Sequence, residues 1–375
     1  MALTDIEAGR LADNVFNVVG ANKNLIINGA MQVAQRGTSG TSGGYETVDR
    51  FLNDHGGGGA ITQSQVALTS GTPYNEGFRY FWRQTNTTAS TAAGRYVRAF
   101  QYIEAQNVAN SGWNYVSATS YITLSFWVRS SVAQEFYGEI VTRDGTNQNY
   151  PFSTGSLSAD TWTKVTKIIP GNSNITVNND TGQGLQVELV PFYGTDFTDS
   201  GATVDAWQAY SGSSRVPDMT STWANTTNAT FDITGVQLEV GSVATPFEHR
   251  NYGDELARCQ RYYFDATTGG TGGNVSWPSL LISAGGNYIS HCKFPVTMRT
   301  PPSLVSASMT GTGNCFLNWS GSGSSTLNTV AVRHSSINTA TIQGAQDSSF
   351  GGAGYYVHLE INNSFTGTYA WSAEL

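Results

Sequence analysis

The chain of 375 residues is 39% hydrophobic, which is enough for a sizeable buried core and is typical of two domains rather than one. Only 12% of its residues are charged and the formal net charge is −8, so neither nucleic acid nor a polyanion is an expected partner. No run of roughly 18 apolar residues occurs, and the opening MALTDIEAGRLADN carries acidic residues where a signal peptide would carry basic ones. We therefore expect neither membrane insertion nor export by that route.

The first predicted element is a short N-terminal helix. Thr4 and Glu7 have the spacing of a capping box, in which each side chain bonds the other residue's backbone N–H, and Gly20 ends the pattern. The helix has too few apolar residues for an independent core, so it needs a partner. We interpret residues 1–22 as a candidate attachment segment that uses the apolar side chains Ile6, Leu11, Val15 and Val18.

Residues 23–248 have the period-two pattern of β-strands. In SYITLSFWVRSS, alternate residues from Ile122 to Val128 are apolar, whereas Trp127 falls on the opposite face and is expected to meet solvent or a neighbouring subunit. The stretches GLQVELVPFY and FDITGVQLEVG repeat this alternation, and turn sequences separate the runs. Short strands joined by long polar loops predict a β-sandwich of jelly-roll type.

A short connector helix is predicted within residues 249–264. Arg250, Arg258, Arg261 and Glu255 fall off the apolar stripe of this helix. The pattern alone favours a connector docked on its own domain over a three-helix collar in a homotrimer, because about three turns cannot specify an oligomeric state. The stripe, which is also the candidate oligomerisation surface, consists of Tyr252, Leu256, Cys259 and Tyr263.

Residues 265–375 begin with a Thr/Gly-rich spacer and continue as short strands, which predicts a C-terminal β-sandwich tip. Aromatic side chains near Asn, Ser and Asp are suited to hold sugars, because a ring stacks on CH groups while polar groups bond hydroxyls. The alternative for each aromatic residue is a place in the core or in a subunit interface. The candidate glycan-binding residues are Trp277, Trp319, Tyr355 and Tyr356, which we place in the tip loops, and Trp371, which lies four residues from the chain end.

The sequence contains none of the motifs expected of an enzyme. It has no GxSxG, HExxH or phosphate loop, and no repeat of a long β-helix, so we expect no catalytic activity. Three widely spaced cysteines are interpreted as free, mostly buried thiols. We expect no cofactor; a structural Ca²⁺ is a weaker alternative, for which the oxygen ligands would come from Asp49, Asp54, Asp144 and Asp180. The acidic residues that a glycosidase would have to pair across a sugar are Glu104, Glu135, Glu139, Glu188 and Glu239.

Five segments resemble the fibre proteins of tailed bacteriophages, especially those of marine and cyanobacterial phages. The last of the five, which includes Pro-Phe-Glu and Tyr-Gly-Asp-Glu-Leu, is the most specific. The resemblance covers most of residues 22–264, and more weakly FPVTMRTPPSLV and the terminal TYAWSAEL. The segments are NLIINGAMQVAQRG (24–37), YETVDRF (45–51), TLSFWVRSS (123–131), TWTKVTKIIPG (161–171) and ITGVQLEVGSVATPFEHRNYGDELARCQRYY (233–263).

This resemblance implies a homotrimeric tail fibre with a jelly-roll domain similar to carbohydrate-binding modules, and it reverses the preference against the trimeric collar. It further implies a virion protein, assembled in the host cytoplasm, whose N-terminus binds a tail, baseplate or adaptor protein. Its expected ligand is a bacterial surface polysaccharide such as lipopolysaccharide. Two alternatives stay open, namely a purely structural baseplate or neck fibre that binds no receptor, and a tailspike that degrades or deacetylates glycan.

Overall fold

The computed structural model of the protein describes two compact units whose boundary lies between Glu255 and Leu256. The prediction of a mainly β protein is confirmed, with two antiparallel sheets in each unit and short helices between strands. The predicted N-terminal helix, including Ile6, Leu11, Val15 and Val18, lies outside the described residues. The described residues are 22–266, 275–281, 287–307, 315–319, 323–326, 329–345, 356–361 and 368–375.

The first unit is a sandwich of two six-stranded antiparallel sheets. Its strands are β1 (Ser39–Gly40), β2 (Leu52–Gly56), β3 (Ala60–Ala67), β4 (Tyr80–Thr88), β5 (Tyr96–Glu104), β6 (Tyr121–Ser130), β7 (Gln134–Thr142), β8 (Gln148–Leu157), β9 (Thr163–Pro170), β10 (Gln183–Tyr193), β11 (Gln208–Ala209) and β12 (Ala229–Val240). Sheet A has the order β1-β3-β4-β12-β6-β9, and sheet B has the order β11-β8-β7-β10-β5-β2. The long crossings between the sheets are those of a jelly roll.

The core of the first unit lies between the inner faces of sheets A and B. Leu124 and Phe126 of β6 are buried in the same apolar cluster as Leu185 and Val187 of β10, so the predicted alternation correctly identifies the inward face of both strands. Burial of each such side chain contributes about 1.5–3 kcal/mol to the free energy of unfolding.

Trp127 corrects the prediction made for it. It does point away from the core, but it is buried rather than exposed to solvent or to another subunit. It packs in a second apolar cluster with Phe78 and Phe81, and its indole N–H donates to Glu76 Oε2 at 3.1 Å. The residues of a short helical turn cover it, and the strand pattern alone gives no sign of such a cover.

Four helices occur among the described residues, and they are α1 (Thr72–Asn75), α2 (Ala105–Ala109), α3 (Thr222–Asn225) and α4 (Tyr252–Gln260).

Gly235 marks a shift of register between β12 and β6. Its φ of 63° is in the left-handed region, and a Cβ there would lie 2.7 Å from the ring of Phe78. Glycine at this position therefore permits both the bulge and the close packing.

Helix α4 confirms that a helix lies within the predicted connector, but it corrects the predicted stripe. The helix ends at Gln260, so Tyr263 belongs to the strand that follows. Cys259 and Tyr263 are buried within the chain, whereas Tyr252 is 57% exposed. Glu255, predicted to lie off the packed side, is buried and accepts the backbone N–H of Asn28 at 2.6 Å. Contacts to other chains in a collar would therefore come from Tyr252 and the exposed part of Leu256, rather than from the predicted four-residue stripe.

The N-terminal end of the described chain is tied to the segment that precedes α4. The carboxylate of Glu248 accepts the backbone N–H groups of Asn22, at 2.6 Å, and Asn24, at 2.8 Å. Arg250 is buried and donates to the carbonyl of Asn24 at 2.6 Å and to Glu248 at 3.1 Å. Asn22 and Asn24 therefore lie beside the residues that lead into α4.

The second unit, described by itself, begins within helix α4 and consists of β-strands after that helix, over the residues that the structure describes. Its strands are β13 (Tyr263–Asp265), β14 (Val275–Leu281), β15 (Asn287–Lys293), β16 (Ser303–Ala307), β17 (Cys315–Trp319), β18 (Gly323–Thr326), β19 (Ala331–Ser335), β20 (Thr339–Ala345), β21 (Tyr356–Ile361) and β22 (Thr368–Ser372). They form a three-stranded sheet, β13-β22-β16, and a seven-stranded sheet, β18-β17-β21-β14-β15-β20-β19. Tyr288, Phe294 and Trp371 belong to the apolar cluster of this unit.

Candidate glycan-binding face of sheet B

The outer face of sheet B is the face that points away from the core of the sandwich. It carries polar side chains that are buried. Because side chains alternate along a strand, Leu185, Val187 and Leu189 of β10 face the core, whereas Gln186 and Glu188 between them point outward. Both of these outward-pointing residues are nevertheless fully buried. The outer face is therefore partly covered by other polypeptide.

Strand register places the outward residues in two rows across the sheet. In the first row Glu139 of β7 lies opposite Glu188 of β10, which lies opposite Phe100 of β5. Phe100 in turn lies opposite Leu52 of β2. In the second row Gln186 of β10 lies opposite Tyr102 of β5. The face therefore combines two carboxylates, an amide and aromatic rings at cross-strand distance.

Arg215 bridges the two buried carboxylates. Its Nη2 donates to Glu139 Oε1 and lies 3.1 Å from Glu188 Oε1. The hydroxyl of Tyr193 donates to Glu188 as well. On the other side of Glu188, Arg98 Nη1 donates to Oε2 at 3.3 Å. Two guanidinium groups and a phenol therefore donate to a carboxylate pair that is 0% exposed, although none of these bonds reaches Glu139 Oε2.

This environment moves the pKa values of the two carboxyl groups in opposite directions. Burial, together with the neighbouring Glu188, raises the pKa of Glu139 to about 8. Burial acts on Glu188 too, but Arg215 and Arg98 outweigh it and lower the pKa of Glu188. These opposite shifts favour a singly protonated pair near neutral pH.

The segment 194–220, between β10 and α3, covers the half of the outer face of sheet B that holds Glu139 and Glu188. Val216 is buried against Val190 and Tyr193, and Phe197 packs on the same cluster. The ring of Tyr193 lies beneath the Arg215 guanidinium, whose carbon is 4.8 Å from the ring centroid. The carboxylate pair is consequently closed off from solvent and from any sugar.

The other half of the face, towards β2, is partly exposed. Arg98 is 20% exposed and bonds Asp54, which is 29% exposed, through Nε at 2.9 Å. Tyr102 is also partly exposed, and its ring makes an edge contact with Phe100 at 5.1 Å between centroids. The Arg143 guanidinium lies 5.4 Å from the centroid of the Tyr102 ring. This partly exposed half, defined by Leu52, Asp54, Arg98, Tyr102 and Arg143, is called the open half below.

The open half has the chemistry that binds sugars. The Tyr102 ring and the Leu52 side chain offer apolar surface for sugar CH groups. Asp54 can accept hydrogen bonds from hydroxyl groups, and Arg98 and Arg143 can donate to sugar oxygens. These groups lie on strands of a rigid sheet, so little conformational entropy is lost when a ligand binds.

Sequence reasoning placed the candidate site in the tip loops and did not select this face. A signal was nevertheless present in YVRAFQYIE, where Tyr96, Arg98, Phe100 and Tyr102 occupy every second position opposite the apolar residues. Aromatic and arginine side chains on the outward face of a strand are an unusual pattern for a surface that meets only water.

The structure corrects the predicted loop positions of the tip aromatics. Trp277, Trp319 and Tyr356 belong to strands β14, β17 and β21 rather than to loops. Trp371 is fully buried in the apolar cluster of the second unit, 5.6 Å from Phe294 between ring centroids, so it offers no surface for a sugar. Tyr355 lies outside the described residues.

The aspartates considered as Ca²⁺ ligands are not brought together. Asp49 bonds Gln35, Asp54 bonds Arg98, Asp144 bonds Asn178, and the side chain of Asp180 accepts the N–H of Gly182. Across the described residues, no group of three or more His, Cys, Asp or Glu side chains has the arrangement of a metal site. The four aspartates therefore serve as local hydrogen-bond acceptors in this fold.

No described helix is long and apolar enough to cross a bilayer.

Cys259 and Cys292 are buried thiols that form no disulfide, as predicted, and burial raises the pKa of Cys292 to about 11. Neither thiol is therefore placed for reaction in solution.

No protein-family model and no curated protein sequence matches the chain. Solved structures that are similar include the enzymatically active domain of tailspike protein 4 of bacteriophage CBA120, at 8% identity and a TM-score of 0.32. That match covers 58% of this chain but only 22% of the tailspike chain. A proposed sugar-binding protein from Bacteroides thetaiotaomicron is 10% identical, with a TM-score of 0.31, and the match covers 58% of this chain and all of that one.

A third similar structure is the family 11 carbohydrate-binding module of Clostridium thermocellum in complex with a mixed-linked tetrasaccharide. It is 11% identical, with a TM-score of 0.26, and the match covers 56% of this chain and 98% of the module. Likenesses of this strength do not establish a shared function. The sandwich architecture described above rests on the strand pairing itself.

Proposed function

We propose that the protein is a non-enzymatic glycan-binding protein whose ligand lies on the open half of sheet B. The observation that carries this proposal is the partly exposed Tyr102 ring, flanked by Asp54, Arg98 and Arg143 on a rigid sheet. Apolar ring surface bordered by a few fixed polar groups is the usual composition of a sugar site.

We further propose that the chain is a tail fibre protein of a tailed phage, which adsorbs to a bacterial surface polysaccharide such as lipopolysaccharide. The support is the sequence resemblance to phage fibres, strongest in residues 233–263. The bonds between Glu248 and the backbone of Asn22 and Asn24 fit this role, because they anchor the described residues that directly follow the proposed attachment segment. A homotrimer would present three weak glycan sites together and raise the avidity.

The absence of activity is part of the same proposal. Glu139 and Glu188 are a carboxylate pair of the kind that glycosidases use, with pKa values shifted apart. Neither has exposed surface, and Arg215 bonds both, so no sugar can reach them in this arrangement. Release of reducing ends or acetate from purified host polysaccharide would contradict this part of the proposal.

Adsorption to cells tests the proposed role. Labelled protein should bind host-type cells and lose that binding when the surface polysaccharide is stripped. Tyr102→Ala should bind weakly, while Tyr102→Phe, which keeps the ring, should bind nearly as well as the wild type. The matched control is Tyr80→Ala, which removes a 37% exposed tyrosine from the other sheet. A protein that decorates phage particles but ignores cells would favour the purely structural alternative.

A further inference from the structure

The charges of the open half are not all paired. Arg98 is bonded to two carboxylates, Asp54 and Glu188, at 2.9 and 3.3 Å. Arg143, which directly follows β7, contacts uncharged acceptors instead. Its Nη2 donates to the side-chain oxygen of Gln186 and lies 3.4 Å from the hydroxyl of Tyr102. Its Nε is buried and has no hydrogen-bond partner.

The orientation of Gln186 is fixed by the neighbouring charge network. Its side-chain N–H₂ donates to Glu188, so its oxygen necessarily faces Arg143. The Arg143 guanidinium is therefore held against the Tyr102 ring by an amide rather than by a carboxylate. No described carboxylate forms an ion pair with this guanidinium. At least one ion pair is formed by each of Arg83, Arg98, Arg129 and Arg215.

A partly buried cation without a counter-charge is electrostatically costly, and an anion from outside removes that cost. A guanidinium presents a planar fork that matches a carboxylate or a sulfate group. The Tyr102 ring beside it offers a surface on which the sugar that carries this group can stack. An anion, a guanidinium and an aromatic platform thus complement one another at a single position on the face.

We propose that the glycan recognised on the open half carries an acidic group, of the uronate type, and that Arg143 binds this group while Tyr102 stacks on its sugar ring. This inference rests on the proposed glycan-binding function. It concerns a single acidic group at one subsite, because the net charge of −8 disfavours densely charged polymers. Binding should weaken as salt increases, since the attraction acts partly through solvent.

Titration calorimetry of the full-length protein tests the inference with two probes of equal length, galactotetraose and the same tetrasaccharide with one galactose replaced by galacturonate. The wild type should bind the acidic probe about tenfold more tightly in low salt, the equivalent of one charge-assisted hydrogen bond. Arg143→Gln should abolish this preference, whereas Arg143→Lys should keep part of it. Sulfated and phosphorylated tetrasaccharides of the same backbone would distinguish a carboxylate site from a general anion site.

Arg79→Gln is the matched control, because Arg79 also stacks on a tyrosine, at 4.2 Å from the Tyr74 ring centroid, and bonds only backbone carbonyls. This control should keep the wild-type preference. Equal affinity of the wild type for the two probes, or a preference that survives in Arg143→Gln, would overturn the inference and leave glycan binding intact. Failure of the wild type to bind any glycan would instead overturn the proposed function, and this inference with it.

Discussion

Replacement of Glu139 by glutamine tests the buried charge network on sheet B through the pH dependence of stability. Its pKa in the folded state is about 8, compared with 4.5 when unfolded. Between these values the folded protein holds one more proton than the unfolded chain, so the contribution of Glu139 to stability falls as the pH rises. Glu188, with a lowered pKa, contributes in the opposite sense, since its stabilisation is lost as the pH falls.

The magnitude follows from the number of protons. One proton changes the free energy of unfolding by ~1.4 kcal/mol per pH unit, which gives an upper limit of about 4 kcal/mol between pH 5 and 8. For a unit of this size each kcal/mol shifts Tm by about 2–4 °C. The Tm advantage of the wild type over Glu139→Gln should therefore shrink by up to about 8–16 °C over this range.

Scanning calorimetry at half-unit pH intervals measures this difference. A weaker bond to Arg215 lowers the Tm of Glu139→Gln by the same amount at every pH. The test is therefore whether the difference between the two Tm values changes with pH. Glu135→Gln, which removes a carboxylate from the same strand without touching Arg215, is the matched control. Parallel curves for wild type and Glu139→Gln would refute the proposed protonation of this buried pair.

Three further substitutions test the fold and the assembly. Arg215→Leu leaves Glu139 and Glu188 buried without their shared partner, so urea denaturation should show a loss of about 3–5 kcal/mol; an unchanged midpoint would be inconsistent with the bridge. Gly235→Ala forces a Cβ against Phe78 at a positive φ, and the same assay should show a loss of about 1–3 kcal/mol. Leu256→Asp should lower a light-scattering mass of three times 40.2 kDa if α4 contributes to a trimer, and an unaltered mass would exclude the collar.

The sandwich itself was predictable because hydrophobic burial imposes a simple period on each strand. Ile122 to Val128 and Leu185 to Leu189 alternate in sequence as they do in the structure. At Gly235, which stands between two alternating runs, the structure has a bulge that was not predicted. Local periodicity and turn chemistry therefore suffice for the architecture.

The candidate site was not predictable to the same degree, because it depends on pairing between distant strands. Glu139 and Glu188 are opposite each other only through the register of β7 with β10, and Arg215 reaches them from a long irregular segment. For the same reason Trp127 was expected to be exposed and Trp371 to bind ligand, although both are covered by residues remote in sequence. Periodicity identifies the face of a strand but does not reveal what covers that face.

The central claim is that the open half of sheet B binds a glycan through Tyr102. Its most direct test is equilibrium binding of purified host surface polysaccharide to the wild type, Tyr102→Ala and Tyr80→Ala under identical conditions. The account predicts saturable binding by the wild type and Tyr80→Ala, with affinity reduced at least tenfold in Tyr102→Ala, a loss of about 1.4 kcal/mol. Equal binding by all three proteins would contradict it and move the glycan site away from this face.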